Sequence, residues 1–456
     1  MSSSGRDGLF DGLFGRGLVS VSDEDWLSAM LDTEAALARA LERASLAPAG
    51  AGAAVTKAAR ADQFEIAELG RQAQLTGNPV PALVRALTAL VPAEAREAVH
   101  RGATSQDVID TAVMLLAKRA ITVISADLGT AADRTADLAA EHIGTVMVGR
   151  TLLQQAVPVT FGLIAAGWLT ALDETRAELN RFAATRLAIQ FGGAAGTLAS
   201  LGESGQELAD LLAAELDLPA PVLPWHTDRT RIVQLGGALA TVCAVLGKIA
   251  RDVTLLAQTE VAEVAEGGSG RGGSSAMPNK RNPVASVLIL GCAKRAPGML
   301  ATLVSAAEQE HQRAAGAWHA EWESVADLLR LTGSAASWAT DLLAGLRIDA
   351  TRMLANLQAA GGLPLAEHVA AELAASLGRL EAHDLVARAS ARAKELGISL
   401  PDALLSDAKA ATALHNAGIG AAELAAAANP WSYLGSAAPF VRRALAAHQK
   451  LRESVT

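Results

Sequence analysis

Between Gly267 and Pro283 the chain reads GGSGRGGSSAMPNKRNP, in which five of the first seven residues are glycine. A glycine density of that kind cannot continue a helix, and it leaves a backbone that serves as a hinge or lid. Lys280, Asn282, the glycine N–H groups and the start of the next helix are together equipped to clamp a carboxylate and to meet negative charge. Formally, Gly268-x-Gly270-x-x-Gly273 matches a dinucleotide fingerprint. That motif needs a strand before it and an acidic residue about 20 positions later, and the sequence offers neither, so the nucleotide reading is rejected. A plain flexible linker is the bland alternative, but linkers do not usually end in paired serines, a proline and a Lys-Arg-Asn cluster.

The elements that must carry this segment are helical. Of 456 residues, 51% are hydrophobic and only 3% aromatic, so the apolar side is mostly alanine, leucine and valine, which favours helices over sheets. A net charge of −9 does not suit a protein that neutralises nucleic-acid phosphates. Cys243 and Cys292 make neither a disulfide framework nor a zinc cluster. Met1–Gly17 lacks the apolar core of a secretory signal. The uncharged run Ala156–Leu172, interrupted by Pro158, falls short of a membrane span and reads as a buried core helix. A cytoplasmic protein with no membrane partner is the expectation.

Ser22 is a natural N-cap, with Asp23, Glu24 and Asp25 in the first turn after it. Five long stretches with little internal proline follow: Asp107–Ile143, Val159–Ile189, Thr230–Glu266, Pro283–Gln312 and Glu321–Leu346. At 1.5 Å per residue each would be roughly 40–55 Å long. Helices so long and apolar cannot all hide their faces in one thin bundle, which predicts a homo-oligomer. No sheet is predicted. The fold class is all-α in three helical regions: 1–106, a central long-helix bundle 107–360 containing the loop 267–283, and a small domain 361–456.

Gly273–Pro283 resembles the signature loop of the fumarase/aspartase superfamily, whose members form or break a C–N, C–O or C–C bond beta to a carboxylate. His100-Arg101-Gly102-Ala103-Thr104-Ser105-Gln106-Asp107, with Asp110-Thr111, resembles the superfamily's first region. Gly149-Arg150-Thr151-Leu152-Leu153-Gln154-Gln155-Ala156 resembles its second, and Leu31–Leu37 extends the likeness towards the start. Softer signals at Phe191–Leu198, Pro224–Thr227 and Gly316–Trp322 resemble the branch of bacterial 3-carboxy-cis,cis-muconate cycloisomerases. Alone, Trp318 and Trp322, four apart on one helical face, read as core packing.

The resemblance implies a homotetramer with shared active sites, a small polycarboxylate substrate, and neither metal nor organic cofactor. It makes Ser274 the group that handles the proton, with Ser275 as a second loop hydroxyl, Lys280 stabilising an alkoxide, and His100 in a catalytic role. Thr104, Ser105, Thr151, Gln154, Met277 and Asn282 would bind substrate. So would Arg150, for which a solvated surface charge is the equal alternative.

Two positions depart from the superfamily pattern. Leu152 stands where many of its lyases have a His that protonates the leaving group, and Asn279 where His is common. A leucine transfers no proton, yet a departing carboxylate, with a conjugate-acid pKa of about 4, needs none. The branch resemblance implies lactonisation of 3-carboxy-cis,cis-muconate, and Leu152 agrees with it. Elimination of another weakly basic anion, such as nitrite from nitrosuccinate, satisfies Leu152 equally. Adenylosuccinate-type cleavage fits less well, and a non-catalytic scaffold is the remaining alternative.

Overall fold

The computed structural model of the chain describes residues 8–267, 271–273, 277 and 279–453. Ser22 caps the first long helix, α1 (Asp23–Arg43), as its sequence suggests. Its hydroxyl accepts the Asp25 N–H, and the Asp25 carboxylate accepts the Ser22 N–H at 2.7 Å, closing a capping box. α1 turns Leu27, Leu31, Leu37 and Leu41 inward, and with them one carboxylate, Glu34.

Each of the five long stretches contains a long helix: α2 (Ser105–Glu141, 37 residues), α3 (Phe161–Arg186), α4 (Thr230–Leu256), α5 (Val284–Ser305) and α6 (Ala317–Gly345); two are shorter than expected, since the stretch Thr230–Glu266 leaves the helix after Leu256 and Pro283–Gln312 after Ser305. Cys243 on α4 and Cys292 on α5 are free and buried, and burial pushes their thiols up to about 12 and about 11. Thiols held that far above neutrality are inert. α4 and α5 are each long and apolar enough to cross a membrane.

The fold is essentially all-α, but the expectation of no sheet needs correcting. β1 (Val146–Thr151) and β2 (Gln154–Thr160) form an antiparallel hairpin, and β3 (Val264–Glu266) pairs antiparallel with β4 (Leu346–Ile348). Ala156–Thr160 is thus strand, and the core helix expected there begins only at Phe161. Val157, Val159 and Thr160 are β-branched. Pro158 donates no hydrogen bond, but a two-stranded ribbon has an open side where that is tolerated.

The chain forms two compact units, one of Met1–Gly129, Glu174–Ala250 and Ala285–Asp341, the other of Thr130–Asp173, Arg251–Val284 and Leu342–Thr456. The first contains a charged centre in its apolar core. Arg229 is fully buried and meets Asp110 at 2.7 Å and Glu321 at 2.6 Å. In the second, the last helix, α7 (Ala437–Glu453), is pinned through His448, whose Nδ1 lies 3.0 Å from Asp173 and whose Nε2 lies 3.0 Å from Asp133. Its shorter helices close over a separate apolar core that includes Leu373, Leu385, Leu404 and Leu424.

Removing Arg229 would leave two carboxylates buried without their cation. Arg229→Met is expected to cost roughly 3–5 kcal/mol, read as a lowered urea midpoint, whereas a surface charge such as Arg71→Met should cost less than about 1 kcal/mol.

Candidate functional site

In the first unit the site begins where α2 begins. Asp107, nearly fully buried, accepts the N–H groups of Thr104 (3.0 Å), Gly192 (3.0 Å) and Gly193 (2.8 Å) and the Gln190 side-chain amide (3.1 Å). His226 Nε2 lies 2.7 Å from the same carboxylate. One turn on, Asp110 accepts from Gln106, Arg229 and the Trp318 indole. Glu321 accepts from Arg229 and Gln309. Burial, reinforced by the charge of Asp110, outweighs Arg229 and holds the Glu321 carboxyl above the usual range. Segments from three distant parts of the sequence, 190–193, 224–229 and 309–321, are thereby tied to the first two turns of α2.

This scaffold accounts for several residues that sequence alone left open. His226 faces Asp107 from inside the core. Trp318 is buried on Asp110 and edge-on to Trp322 at 4.9 Å, as the core-packing reading holds. His319 is exposed at the surface, its Nε2 3.1 Å from the Gly77 carbonyl oxygen.

What the scaffold presents is the turn His100–Ser105. His100 has a left-handed backbone, φ +58°. Its N–H and its Nδ1 both meet the fully buried Glu34, at 2.9 and 2.6 Å. Burial opposes a charged ring, but the hydrogen bond and charge of Glu34, joined by the charge of Asp107, prevail and raise its pKa above the ordinary imidazole value. Thr104 and Ser105 lie partly buried beside it, their hydroxyls without partners among the described residues. The structure thus brings together His100, Thr104 and Ser105.

In the second unit, Arg150 is neither a solvated charge nor an open guanidinium. It forms a two-pronged pair with the fully buried Glu263, both contacts 2.8 Å, and Asn356 donates to the same carboxylate at 2.8 Å. Beyond it, Thr151 and Gln154 face each other across the hairpin turn and are exposed. The two turn residues, Leu152 and Leu153, both have positive φ, +51° and +64°. A two-residue hairpin asks for that conformation, and leucine adopts it reluctantly. Leu152 is 96% exposed.

The glycine-rich loop is closed at its base. Gly267 donates to Gly345 and Asn282 donates to Gly272, each at 2.8 Å, and Gly273 bridges to Arg281. Gly272 has φ +78°, and a Cβ there would run into the Asn282 carbonyl, so only glycine fits. Met277 and Lys280 are exposed and Asn282 partly buried. Ser274 and Ser275 lie outside the described residues.

Two fully buried, paired carboxylates escaped the sequence reading, Glu34 and Glu263. Glu34 had a signal: a lone charge among Leu31, Ala35, Leu37 and Ala38 on the apolar face of α1. Glu263 lies in an irregular stretch with no periodicity to betray its burial. Among the described residues, no group of three or more His, Cys, Asp or Glu is placed to hold a metal.

A family model described as lyase matches residues 19–298, and one described as adenylosuccinate lyase C-terminus matches residues 362–444. A 3-carboxy-cis,cis-muconate cycloisomerase of Bradyrhizobium diazoefficiens is 46% identical over 431 residues, 94% of each chain. A nitrosuccinate lyase of Streptomyces davaonensis is 46% identical over 94% of this chain and 91% of its own. The crystal structure of 3-carboxy-cis,cis-muconate lactonizing enzyme from Pseudomonas putida superposes with a TM-score of 0.90 at 41% identity, covering 97% of this chain and 99% of that one.

Because Arg150 is committed to Glu263, Arg150→Met should act first on stability. The expected loss is roughly 3–5 kcal/mol in urea unfolding, as for any pair whose buried partner is stranded. KM measured on the folded fraction should change little; a large rise in KM at unchanged stability would return Arg150 to the substrate.

Proposed function

The chain belongs to the lyase family of the fumarase/aspartase superfamily, and we propose that it is a 3-carboxy-cis,cis-muconate cycloisomerase working without metal or organic cofactor. The observation that carries the choice of chemistry is Leu152, an aliphatic side chain at the hairpin tip where an acid would be needed to expel an amine or hydroxide.

In lactonisation, one substrate carboxylate adds through oxygen to the alkene carbon beta to another carboxyl group. The alkene pair moves onto the alpha carbon and into that carboxyl as an enolate-like dianion, and a proton then arrives at the alpha carbon. Three carboxylates become two and an ester, so one proton is taken up. The attacking oxygen is already charged and the reverse leaving group is a carboxylate, so neither step calls for an acid at position 152. The developing charge is what needs help, and fixed donors in a closed site supply it. We assign that work to Lys280, Asn282 and the loop N–H groups. Thr104, Ser105, Thr151, Gln154 and Met277 line the rest, Ser274 delivers the proton, and Ser275 adds a second hydroxyl. By stabilising its alkoxide, Lys280 would make the Ser274 hydroxyl acidic enough to serve.

We further propose a cytoplasmic homotetramer whose sites draw their three regions from different copies, with small polycarboxylates as its ligands and no nucleic-acid or membrane partner. The apolar length of α4 and α5, with Val287 and Val304 of α5 more than half exposed in the single chain, supports burial against other copies.

A second reading, elimination of nitrite from nitrosuccinate, is favoured by the Streptomyces davaonensis relative. Ultraviolet absorbance separates the two. The conjugated diene of carboxymuconate should fade as protons are consumed, and nitrosuccinate should yield no fumarate. The reverse pattern would establish the lyase. Ser274→Ala should lower turnover by about 10²–10⁴-fold with helicity retained; near-normal turnover would remove Ser274 from the proton's path.

A further inference from the structure

Glu34 sits on the inward face of α1 with no exposure to solvent, and both of its oxygens go to one residue. One holds the His100 backbone N–H and the other the ring at Nδ1, so a single carboxylate fixes both the left-handed backbone and the ring plane. No Lys or Arg pairs with Glu34 among the described residues, and a buried carboxylate needs a counter-charge. Among the described residues, His100 is the one cation in position to supply it. The charged groups facing the ring are Glu34 from α1 and Asp107 from α2, both negative. Nε2 has no partner among the described residues, and the side chain is one-fifth exposed at 20%.

We propose that Glu34 is a positioning residue for the reaction: it holds His100 by Nδ1–H and turns Nε2–H outward as a charged donor to a carboxylate or enolate oxygen of the substrate. This rests on the reading of His100 as a site residue for a polycarboxylate. Glu34→Gln keeps an acceptor for the His100 N–H but sets an amide N–H against Nδ1, which favours the neutral ring. The sign follows: Glu34 raises the ring's pKa, so its removal lowers it. Activity that depends on the imidazolium should then fail at lower pH, and the basic limb of kcat/KM should move downward.

The test is a cycle of E34Q, H100Q and the double variant, with pH profiles for carboxymuconate turnover. The His100 ring is also titrated by NMR in ligand-free protein, its resonance identified as the one that H100Q removes. E34Q is expected to lower kcat/KM by about 10²-fold at neutral pH, to shift the basic limb and the ring titration downward, and to add nothing to H100Q. An unshifted ring titration, or losses that multiply in the double variant, would overturn the proposal. Should E34Q fail to fold, E34D keeps the charge but draws it back by one methylene. A smaller activity loss that vanishes in the H100Q background would support the proposal, and a wild-type pH profile would overturn it. Wild-type protein inert to carboxymuconate would count against the cycloisomerase reading alone, since the ring titration needs no substrate.

Discussion

A carboxylate taken out of water costs several kcal/mol unless donors replace its hydration, and this chain buries Glu34, Asp107, Asp110, Glu263 and Glu321 almost completely. Each is met by side chains or backbone from far along the sequence: His100 on Glu34, His226 and the Gly192–Gly193 amides on Asp107, Arg229 on Asp110 and Glu321, Arg150 on Glu263. These pairings are demanding because a missing partner strands a charge. They therefore fix the motif segments more sharply than apolar packing alone, which tolerates substitution of similar volume.

The arrangement has a chemical consequence. In the first unit the negative groups near the α2 start are turned inward and satisfied, while Nε2 of His100 and the hydroxyls of Thr104 and Ser105 have no partner among the described residues. A surface of donors backed by buried anions suits a polyanionic ligand, whose own charges supply the missing acceptors. In the second unit, the hairpin tip offers Leu152 and no acid. That side chain transfers no proton.

Much of this was legible in the sequence because the signals were local. The N-cap at Ser22, the long helices, the glycine loop and the segments at 100–111 and 149–156 all follow from spacing or short motifs. What escaped was non-local or two-faced. The β1–β2 hairpin was hidden in an apolar run whose period is ambiguous over so few residues, and only Pro158 hinted at it. Arg150 and Glu263 are 113 positions apart, as His226 and Asp107 are 119 apart, so neither pairing has a local trace. Glu34 was visible as a charge on an apolar face, yet its purpose depended on His100, which folding brings from 66 positions away.

The most direct measurement is a structure of the enzyme with 4-carboxymuconolactone bound. A ligand carboxylate should lie within hydrogen-bond distance of His100 Nε2 and the Thr104–Ser105 turn, with Glu34 still on Nδ1 and Arg150 still on Glu263. A lactone seated away from that turn, or held by an Arg150 released from Glu263, would contradict the view that buried carboxylates build this site from behind.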